Sequence, residues 1–231
     1  MRFVPRRLRQ YPQVAAHNWL IHDLMVQYLT EVAGKYSRGR LVDIGCGTKP
    51  FAPLFAPYVD EHVGVDLPSG PHGTDAVDVI GSAYDTTLED GSFDVVLCSE
   101  VLEHLETPLV AIEEMHRLLR TDGIVILTVP FFWHIHEAPR DFYRYTKFGL
   151  RYLLETGGFE VIEIRPLTGF IGTFSQLLVY FLMRLEQHIL LRVIGKPLHY
   201  LIQRIALALN PIDKTTEFAN LYGVVARRSE H

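Results

Sequence analysis

Two glycines placed one residue apart follow a short apolar run that contains an acid. Leu41-Val-Asp43-Ile precedes Gly45 and Gly47, so a buried strand would end in a tight turn. Glycine adopts backbone angles that a Cβ forbids, and it lets a ligand approach the main chain closely. Ligands of doubly wound sheets bind outside the carboxyl ends of the strands. The pattern predicts a ligand-binding turn, although glycine pairs also occur in ordinary turns.

A second acid, Asp66, ends the next apolar run, His62-Val-Gly-Val. A carboxylate at a strand end can accept hydrogen bonds from both hydroxyls of a ribose. The dinucleotide fingerprint requires a third glycine for close helix packing, and Pro50 stands at that position. The residues therefore favour an adenosine-containing ligand without a pyrophosphate. A surface aspartate is the alternative interpretation of Asp66.

The elements that would position these residues alternate along the chain between short apolar runs and amphipathic segments. Strands are predicted at 41–44, 62–66, 76–80, 93–98, 124–129, 160–164 and 220–227, and helices at 13–33, 50–58, 108–120 and 146–156. Such alternation predicts an α/β fold with a Rossmann-like, seven-stranded, mostly parallel sheet and helices on both faces.

An apolar, helix-like segment between 170 and 210 does not fit this alternation. Gly195 and Pro197 are expected to break it into a helical hairpin inserted before the last strand. A cap over the ligand cleft, a homodimer interface and an interfacial contact with a membrane are three interpretations of equal weight. The predicted division is an N-terminal arm and cap helix (1–37), a core domain (38–165 and 218–231) and the insertion (166–217).

Composition narrows the class of protein. The net charge is −5 and no basic stripe with interleaved aromatic residues is present, which disfavours nucleic acid as the partner. Two cysteines without metal-ligand spacing suggest a reducing compartment. Neither a secretory signal nor a run of 18 uncharged apolar residues is evident, so a cytoplasmic location is expected, with peripheral membrane contact as an addition.

Several motifs in order resemble class I S-adenosylmethionine-dependent methyltransferases, closest to the type 11 small-molecule group. They are VDIGCGTKP, GVDLP, DGSFDVVLCSEVLEHLETP and EMHRLLRTDGIVILTVPF, within residues 38–165. The resemblance implies S-adenosylmethionine as cofactor. It assigns cofactor binding to Asp43, Gly45, Cys46, Gly47, Asp66, Leu67, Ser82, Ala83, Ser99, Glu100 and His104. Ser82 is a departure, because the family usually has an aspartate there, and Asp85 is a candidate substitute.

The stretch from Trp133 to Tyr145 follows the fifth strand and resembles an H-x-x-P-x-D-[FY]-[YF]-R-[FY]-T segment found in some of these enzymes. His136 is the candidate general base, and Asp141 is the second catalytic candidate, which could orient the acceptor. His134, Arg140, Tyr143 and Arg144 are candidates for binding the acceptor. The alternative is that Asp141 and Arg144 only brace the loop. No metal is expected, because the sequence places no third ligand beside His134 and His136.

These observations predict methyl transfer, by in-line displacement, to an oxygen of a small-molecule, sugar or lipid-linked acceptor. A soluble metabolite is the alternative acceptor, with the hairpin then a lid or a dimer face. The alternative without catalysis is that the chain is a partner subunit that binds S-adenosylmethionine.

Overall fold

The computed structural model describes residues 15–68, 73–185 and 189–229. The chain divides into two compact units, Met1–Gln27 with Pro166–Leu221 and Tyr28–Arg165 with Tyr222–His231. The division after Arg165 coincides with the start of the predicted insertion. Residues 1–12, predicted to form a basic arm, lie outside the described residues.

The larger unit is built on one seven-stranded sheet in the order β3-β2-β1-β4-β5-β7-β6. Its strands are β1 Arg40–Ile44, β2 Glu61–Asp66, β3 Val79–Ile80, β4 Phe93–Ser99, β5 Leu119–Pro130, β6 Phe159–Pro166 and β7 Leu221–Arg228. The four pairings from β3 to β5 are parallel. The predicted Rossmann-like α/β sheet is therefore confirmed.

The helices are α1 Trp19–Tyr36, α2 Ala52–Phe55, α3 Pro108–Leu118, α4 Lys147–Thr156, α5 Phe170–Leu185 and α6 Ile189–Leu209, with a 3₁₀ turn at Leu102–His104. The hairpin of α5 and α6 precedes β7, as predicted. No described helix is long and apolar enough to cross a membrane.

The central strands are apolar on both faces because helices cover parallel sheets on both sides. Leu41 and Val42 on β1, and Val95 and Val96 on β4, are wholly buried. Asp43 of β1 pairs in register with Gly64 of β2 and with Leu97 of β4. The carboxyl ends of β1, β2 and β4 consequently meet at one edge of the sheet, which fixes where a ligand site can form.

Three sequence-based boundaries were wrong for identifiable reasons. Gly34 was expected to end the first helix, but α1 continues to Tyr36. A Cβ at Gly34 would lie 3.2 Å from the Tyr58 hydroxyl oxygen, so close packing accounts for this glycine. Pro197 was expected to break the hairpin, yet it lies inside α6. Packing of α6 on α5 overrides the loss of one backbone hydrogen bond. The helix predicted over 50–58 shortens to α2.

In the smaller unit, one buried glutamine secures the start of α1. The Leu20 amide donates to Gln203 Oε1 at 3.0 Å, and Gln203 Nε2 donates to the Ala16 carbonyl oxygen at 3.1 Å. Both Leu20 and Gln203 are wholly buried. The first amides of a helix have no intrahelical acceptor, so this side chain supplies one from α6.

We predict that Gln203→Leu lowers the free energy of unfolding by ~1–3 kcal/mol, because it leaves the buried Leu20 N–H unpaired. Chemical denaturation followed by circular dichroism measures the change. Arg204→Leu, at the neighbouring exposed position, is the matched control and should stay within ~0.5 kcal/mol of the wild type. Equal effects of the two substitutions would contradict the proposed role of Gln203.

Candidate functional site

The glycine turn after β1 brings the main chain to the sheet edge without a side chain in the way. Gly45 has a φ of +70°, and its amide donates to the Val65 carbonyl oxygen at 2.9 Å. A Cβ built on Gly45 would lie only 2.4 Å from Val101 Cγ2. Both the backbone angle and the lack of space therefore require glycine at this position.

Asp66 is held at the end of β2 by two backbone donors. The Gly47 amide donates to its Oδ2 at 2.8 Å, and the Leu67 amide donates to its Oδ1 at 2.7 Å. Each carboxylate oxygen has a further lone pair for a ligand donor. The turn and the acid, which are separate in the sequence, thus form one structure.

A cavity of about 250 Å³ opens at this edge and is lined entirely by the larger unit. Seven predicted site residues line it: Gly45, Asp66, Leu67, Ser82, Ala83, His104 and Arg140. The lining also includes Val65, Gly81, Tyr84, Val101, Leu105, Glu106 and Phe142, which were not singled out from the sequence. Tyr84 directly follows Ala83, and Phe142 lies two residues after Arg140. Their closeness in sequence to these predicted site residues is the feature from which the two aromatic residues could have been identified.

Five residues assigned to the cofactor lie outside that lining: Asp43, Cys46, Gly47, Ser99 and Glu100. Asp43 is nearly buried, and its Oδ2 lies 3.2 Å from His62 Nε2. Burial raises the pKa of the Asp43 carboxyl, and the His62 contact opposes that shift. Burial also raises the pKa of the Cys46 thiol to about 12, so the thiol is protonated at neutral pH.

Ser82 and Ala83 reach the cavity, whereas the candidate substitute Asp85 does not line it. Ser82 Oγ accepts from the Tyr84 amide at 3.2 Å, and Asp85 Oδ1 accepts from the Thr87 amide at 3.1 Å. Asp85 is exposed and serves its own turn. The lining at Ser82 therefore presents a neutral hydroxyl in place of the family's carboxylate.

Two acids follow β4 next to the cavity wall, of which Glu103 is buried and Glu100 is half-buried. Glu103 is 0% exposed, and burial together with the nearby Glu100 charge raises the pKa of its carboxyl well above the usual range. Burial likewise raises the pKa of Glu100, against the effect of a hydrogen bond to Thr128. Glu100 has a φ of +56°, which is costly for a residue with a Cβ. Such strain is concentrated at functional sites.

The loop from Trp133 to Tyr145 is braced by Arg144. Its Nη1 and Nη2 donate to the two Asp141 oxygens at 2.6 and 2.8 Å, and Nη2 also donates to the His134 carbonyl oxygen at 2.9 Å. The Asp141 Oδ2 accepts from the His136 amide at 2.9 Å. The Arg144 guanidinium holds the pKa of Asp141 far below its usual range. Asp141 is thus a fixed carboxylate that positions the loop.

Hydrogen bonds join the same loop to the turn after β4. The Phe142 amide donates to the Glu103 carbonyl oxygen at 2.9 Å. The hydroxyls of Tyr145 and Tyr143 donate to the carbonyl oxygens of Leu102 and Glu106, each at 2.9 Å. Tyr143 therefore holds the loop in place and does not line the cavity.

These bonds place His136 against His104, with ring centroids 4.7 Å apart. Burial, followed by the nearby His104, lowers the pKa of His136. Its ring is therefore neutral near pH 7 and can bind a proton or a metal ion. No third ligand beside His134 and His136 was expected from the sequence, whereas the fold groups Glu103, His104 and His136, whose ligand atoms lie within 4.8 Å of one another. His134 is not a member of that group.

The residues at the cavity fit S-adenosylmethionine. Gly45 exposes its main chain to the cavity because it has no side chain, and the Asp66 carboxylate lines the same cavity. A carboxylate suits ribose hydroxyls, and a backbone free of side chains suits a ligand that must approach closely. Gly45, Asp66, Leu67, Ser82 and Ala83 would hold that group.

Comparisons with known proteins agree with this geometry. Residues 42–127 match the family described as a methyltransferase domain. The chain is 26% identical over 171 residues to the ubiquinone biosynthesis O-methyltransferase of Nitrosomonas europaea, covering 65% of this chain and 70% of the relative. It is 29% identical over 165 residues to the Pseudomonas aeruginosa protein of that name, covering 62% of this chain and 68% of the relative.

A solved structure shares the fold. The phosphoethanolamine N-methyltransferase 2 of Haemonchus contortus, in complex with phosphomonomethylethanolamine and S-adenosylhomocysteine, superposes with a TM-score of 0.57 at 18% identity. The match covers 100% of this chain and 61% of the other.

We predict that Gly45→Ala destabilises the protein by ~1–3 kcal/mol more than Gly73→Ala. Both glycines have positive φ angles, +70° and +76°, but a Cβ at Gly73 would meet no atom of the described residues within 4 Å. The comparison of the two thermal unfolding curves thus isolates the clash with Val101. Equal destabilisation by both substitutions would show that backbone strain alone sets the requirement at Gly45.

Proposed function

We propose that the chain acts as a class I S-adenosylmethionine-dependent methyltransferase and that it methylates an oxygen atom of a small acceptor. The resemblance drawn from the sequence motifs is confirmed by the family match. The proposal of oxygen as the methylated atom is supported by the relatives named as O-methyltransferases. The observation that carries the proposal is the anchored Asp66 carboxylate beside the Gly45 turn in one cavity.

When bound, S-adenosylmethionine supplies a methyl group already activated by a positive sulfur, so the protein chiefly orients the reactants. Asp66 and the Gly45 turn would fix the adenosine portion. Phe142 and Val101 line the cavity as apolar walls and exclude water. Arg140 also lines it, and its cationic side chain suits an acceptor that carries negative charge.

We propose that the acceptor hydroxyl is activated beside His136, with Asp141 as a positioning residue. His104 lines the cavity and its ring packs edge-on against the ring of His136, so the two imidazoles lie side by side at the edge of the cavity. Asp141 fixes the His136 main chain and is itself held by Arg144. The arrangement supports acceptor binding by the loop from His134 to Arg144.

We predict that Asp66→Ala weakens binding of S-adenosylhomocysteine by at least ~10- to 150-fold, because the loss of even one charge-assisted hydrogen bond costs ~1.5–3 kcal/mol. Isothermal titration calorimetry measures the affinity. Asp75→Ala, at an exposed position outside the cavity lining, is the control and should bind as the wild type does. Wild-type affinity in Asp66→Ala, with an unchanged unfolding temperature, would remove Asp66 from the ribose site.

For the hairpin, we propose peripheral contact with an anionic membrane surface, which favours a lipid-linked acceptor and a cytoplasmic location. Two stripes of exposed apolar side chains support this. On α5 they are Phe170, Phe174, Leu177 and Phe181, and on α6 they are Leu198, Leu201, Ile205 and Leu209. The spacings of three and four residues place each set on one helix face. Phe174 and Phe181 are 55% and 60% exposed, and several exposed apolar side chains along one helix face mark an interaction surface.

The charges of the hairpin favour lipid over a second copy of the chain. Between residues 170 and 210 the sequence has four basic residues, Arg184, Arg192, Lys196 and Arg204, and one acidic residue, Glu186. Basic residues beside an apolar face strengthen binding to anionic headgroups. Two such surfaces facing each other in a homodimer would instead repel.

We predict that the wild type floats with vesicles of mixed phosphatidylcholine and phosphatidylserine, and that the double variant Phe174→Glu/Phe181→Glu does not. Charged side chains cannot enter the interface without a large desolvation cost. The matched control is Phe148→Glu/Tyr152→Glu, which alters two exposed aromatic residues on α4. A wild type that stays in the bottom fraction, or that sediments as a dimer through this surface, would overturn the proposal.

A further inference from the structure

Glu103, His104 and His136 converge at the rim of the cofactor cavity. We propose that they bind one divalent cation, and that this cation holds the acceptor oxygen. His104 belongs both to this triad and to the cavity lining, so an ion there would adjoin the cofactor site. The role in acceptor binding rests on the proposed methyl transfer to oxygen, whereas cation binding itself does not.

The buried carboxylate of Glu103 accepts no hydrogen bond from the described residues. The residue is 0% exposed, and neither its Oε1 nor its Oε2 has a hydrogen-bond partner among the described residues. Oε1 of Glu100 is buried and without such a partner as well. A buried carboxylate beside a second, half-buried acid carries a large desolvation and repulsion cost unless a proton or a cation compensates it. A divalent cation would compensate both and would explain why the acids lie together.

The distances from the Glu103 carboxylate to the two histidine nitrogens are close to those between the ligand atoms of a bound ion. Glu103 Oε1 lies 3.6 Å from His104 Nε2 and 3.9 Å from His136 Nε2. Ligand atoms around a tetrahedral ion with bonds of ~2.0–2.2 Å are separated by roughly 3.4 Å. These two edges of the triad are therefore within a few tenths of an ångström of the separation around a bound ion, and the ligand atoms of all three residues lie within 4.8 Å of one another.

The hydrogen-bond partners of the His104 and His136 rings determine which ring nitrogens could bind a cation. His104 Nδ1 hydrogen-bonds the Arg140 carbonyl oxygen, which can only accept, so Nδ1 carries the proton and Nε2 keeps a lone pair. His136 Nδ1 lies 3.3 Å from Arg144 Nη2, which can only donate, and 3.4 Å from Asp141 Oδ2. A cation at His136 Nε2 therefore requires Nδ1 to donate to Asp141 in place of accepting from Arg144. Metal-bound histidines commonly donate their second nitrogen to a carbonyl or a carboxylate.

A ligand set of two imidazoles and one carboxylate selects the class of ion. Mg²⁺ and Ca²⁺ prefer oxygen ligands, whereas imidazole suits Zn²⁺ and related transition-metal ions. Three protein ligands leave a position open for water or for a substrate oxygen. A hydroxyl bound there releases its proton to solvent more readily, because the cation stabilises the oxyanion. His104 and His136 would then act as ligands and not as bases.

The test is Zn²⁺ binding to the full chain after metal has been removed by chelation and the affinity tag by proteolysis. Equilibrium dialysis with elemental analysis should give one Zn²⁺ per chain. Glu103→Gln and His136→Ala should each weaken binding by at least ~100-fold, because loss of a direct ligand exceeds the ~10- to 100-fold effect of outer-shell partners. His134→Ala, in the same loop but outside the triad, should bind Zn²⁺ as the wild type does.

Two further measurements keep the outcome interpretable. Metal-free Glu103→Gln should unfold at or above the wild-type temperature, since a buried carboxylate that accepts no hydrogen bond has been removed, so weak binding would not reflect misfolding. Wild type that takes up no stoichiometric Zn²⁺, or variants that bind it equally well, would overturn the proposal. If Zn²⁺ binds but S-adenosylhomocysteine does not, the cation site stands and the proposed function fails.

Discussion

The parallel register of β1, β2 and β4 is the constraint on which the site depends. It places the carboxyl ends of three strands at one edge, so the turn after β1, the acid after β2 and the acids after β4 become neighbours. Backbone amides of Gly47 and Leu67 then hold Asp66 with both oxygens oriented. None of these groups could be brought together by local structure alone, since each follows a different strand. The sheet therefore acts as the positioning device and the loops supply the chemistry.

A second layer of organisation surrounds the two acids after β4. The positive φ of Glu100 and the lack of hydrogen bonds to the buried Glu103 carboxylate both cost folding free energy. The adjoining loop is braced by Arg144 and by tyrosine hydroxyls. An enzyme that only aligns two reactants has no need of such a cluster. Its presence at the rim of the cofactor cavity suggests that the acceptor requires activation, which is consistent with an oxygen acceptor.

The sequence was informative where a local rule sufficed. Hydrophobic runs marked the strands, and Gly45, Asp66, Ser82 and Ala83 followed from motif position to the cavity lining. It was less informative where packing decides. Gly34 lies inside α1 because Tyr58 approaches it, and Pro197 lies inside α6. The triad could not be predicted, because Glu103 and His104 are remote from His136 in sequence and meet only through the hydrogen bonds between the two loops.

The central claim is that the edge formed by β1, β2 and β4 binds S-adenosylmethionine at Asp66. A crystal structure of the chain with S-adenosylhomocysteine tests this most directly. The account predicts ribose hydroxyls within hydrogen-bond distance of both Asp66 oxygens, and the adenine against Leu67, Ser82 and Ala83. Density for the nucleoside elsewhere, with Asp66 bonded only to Gly47 and Leu67, would contradict it.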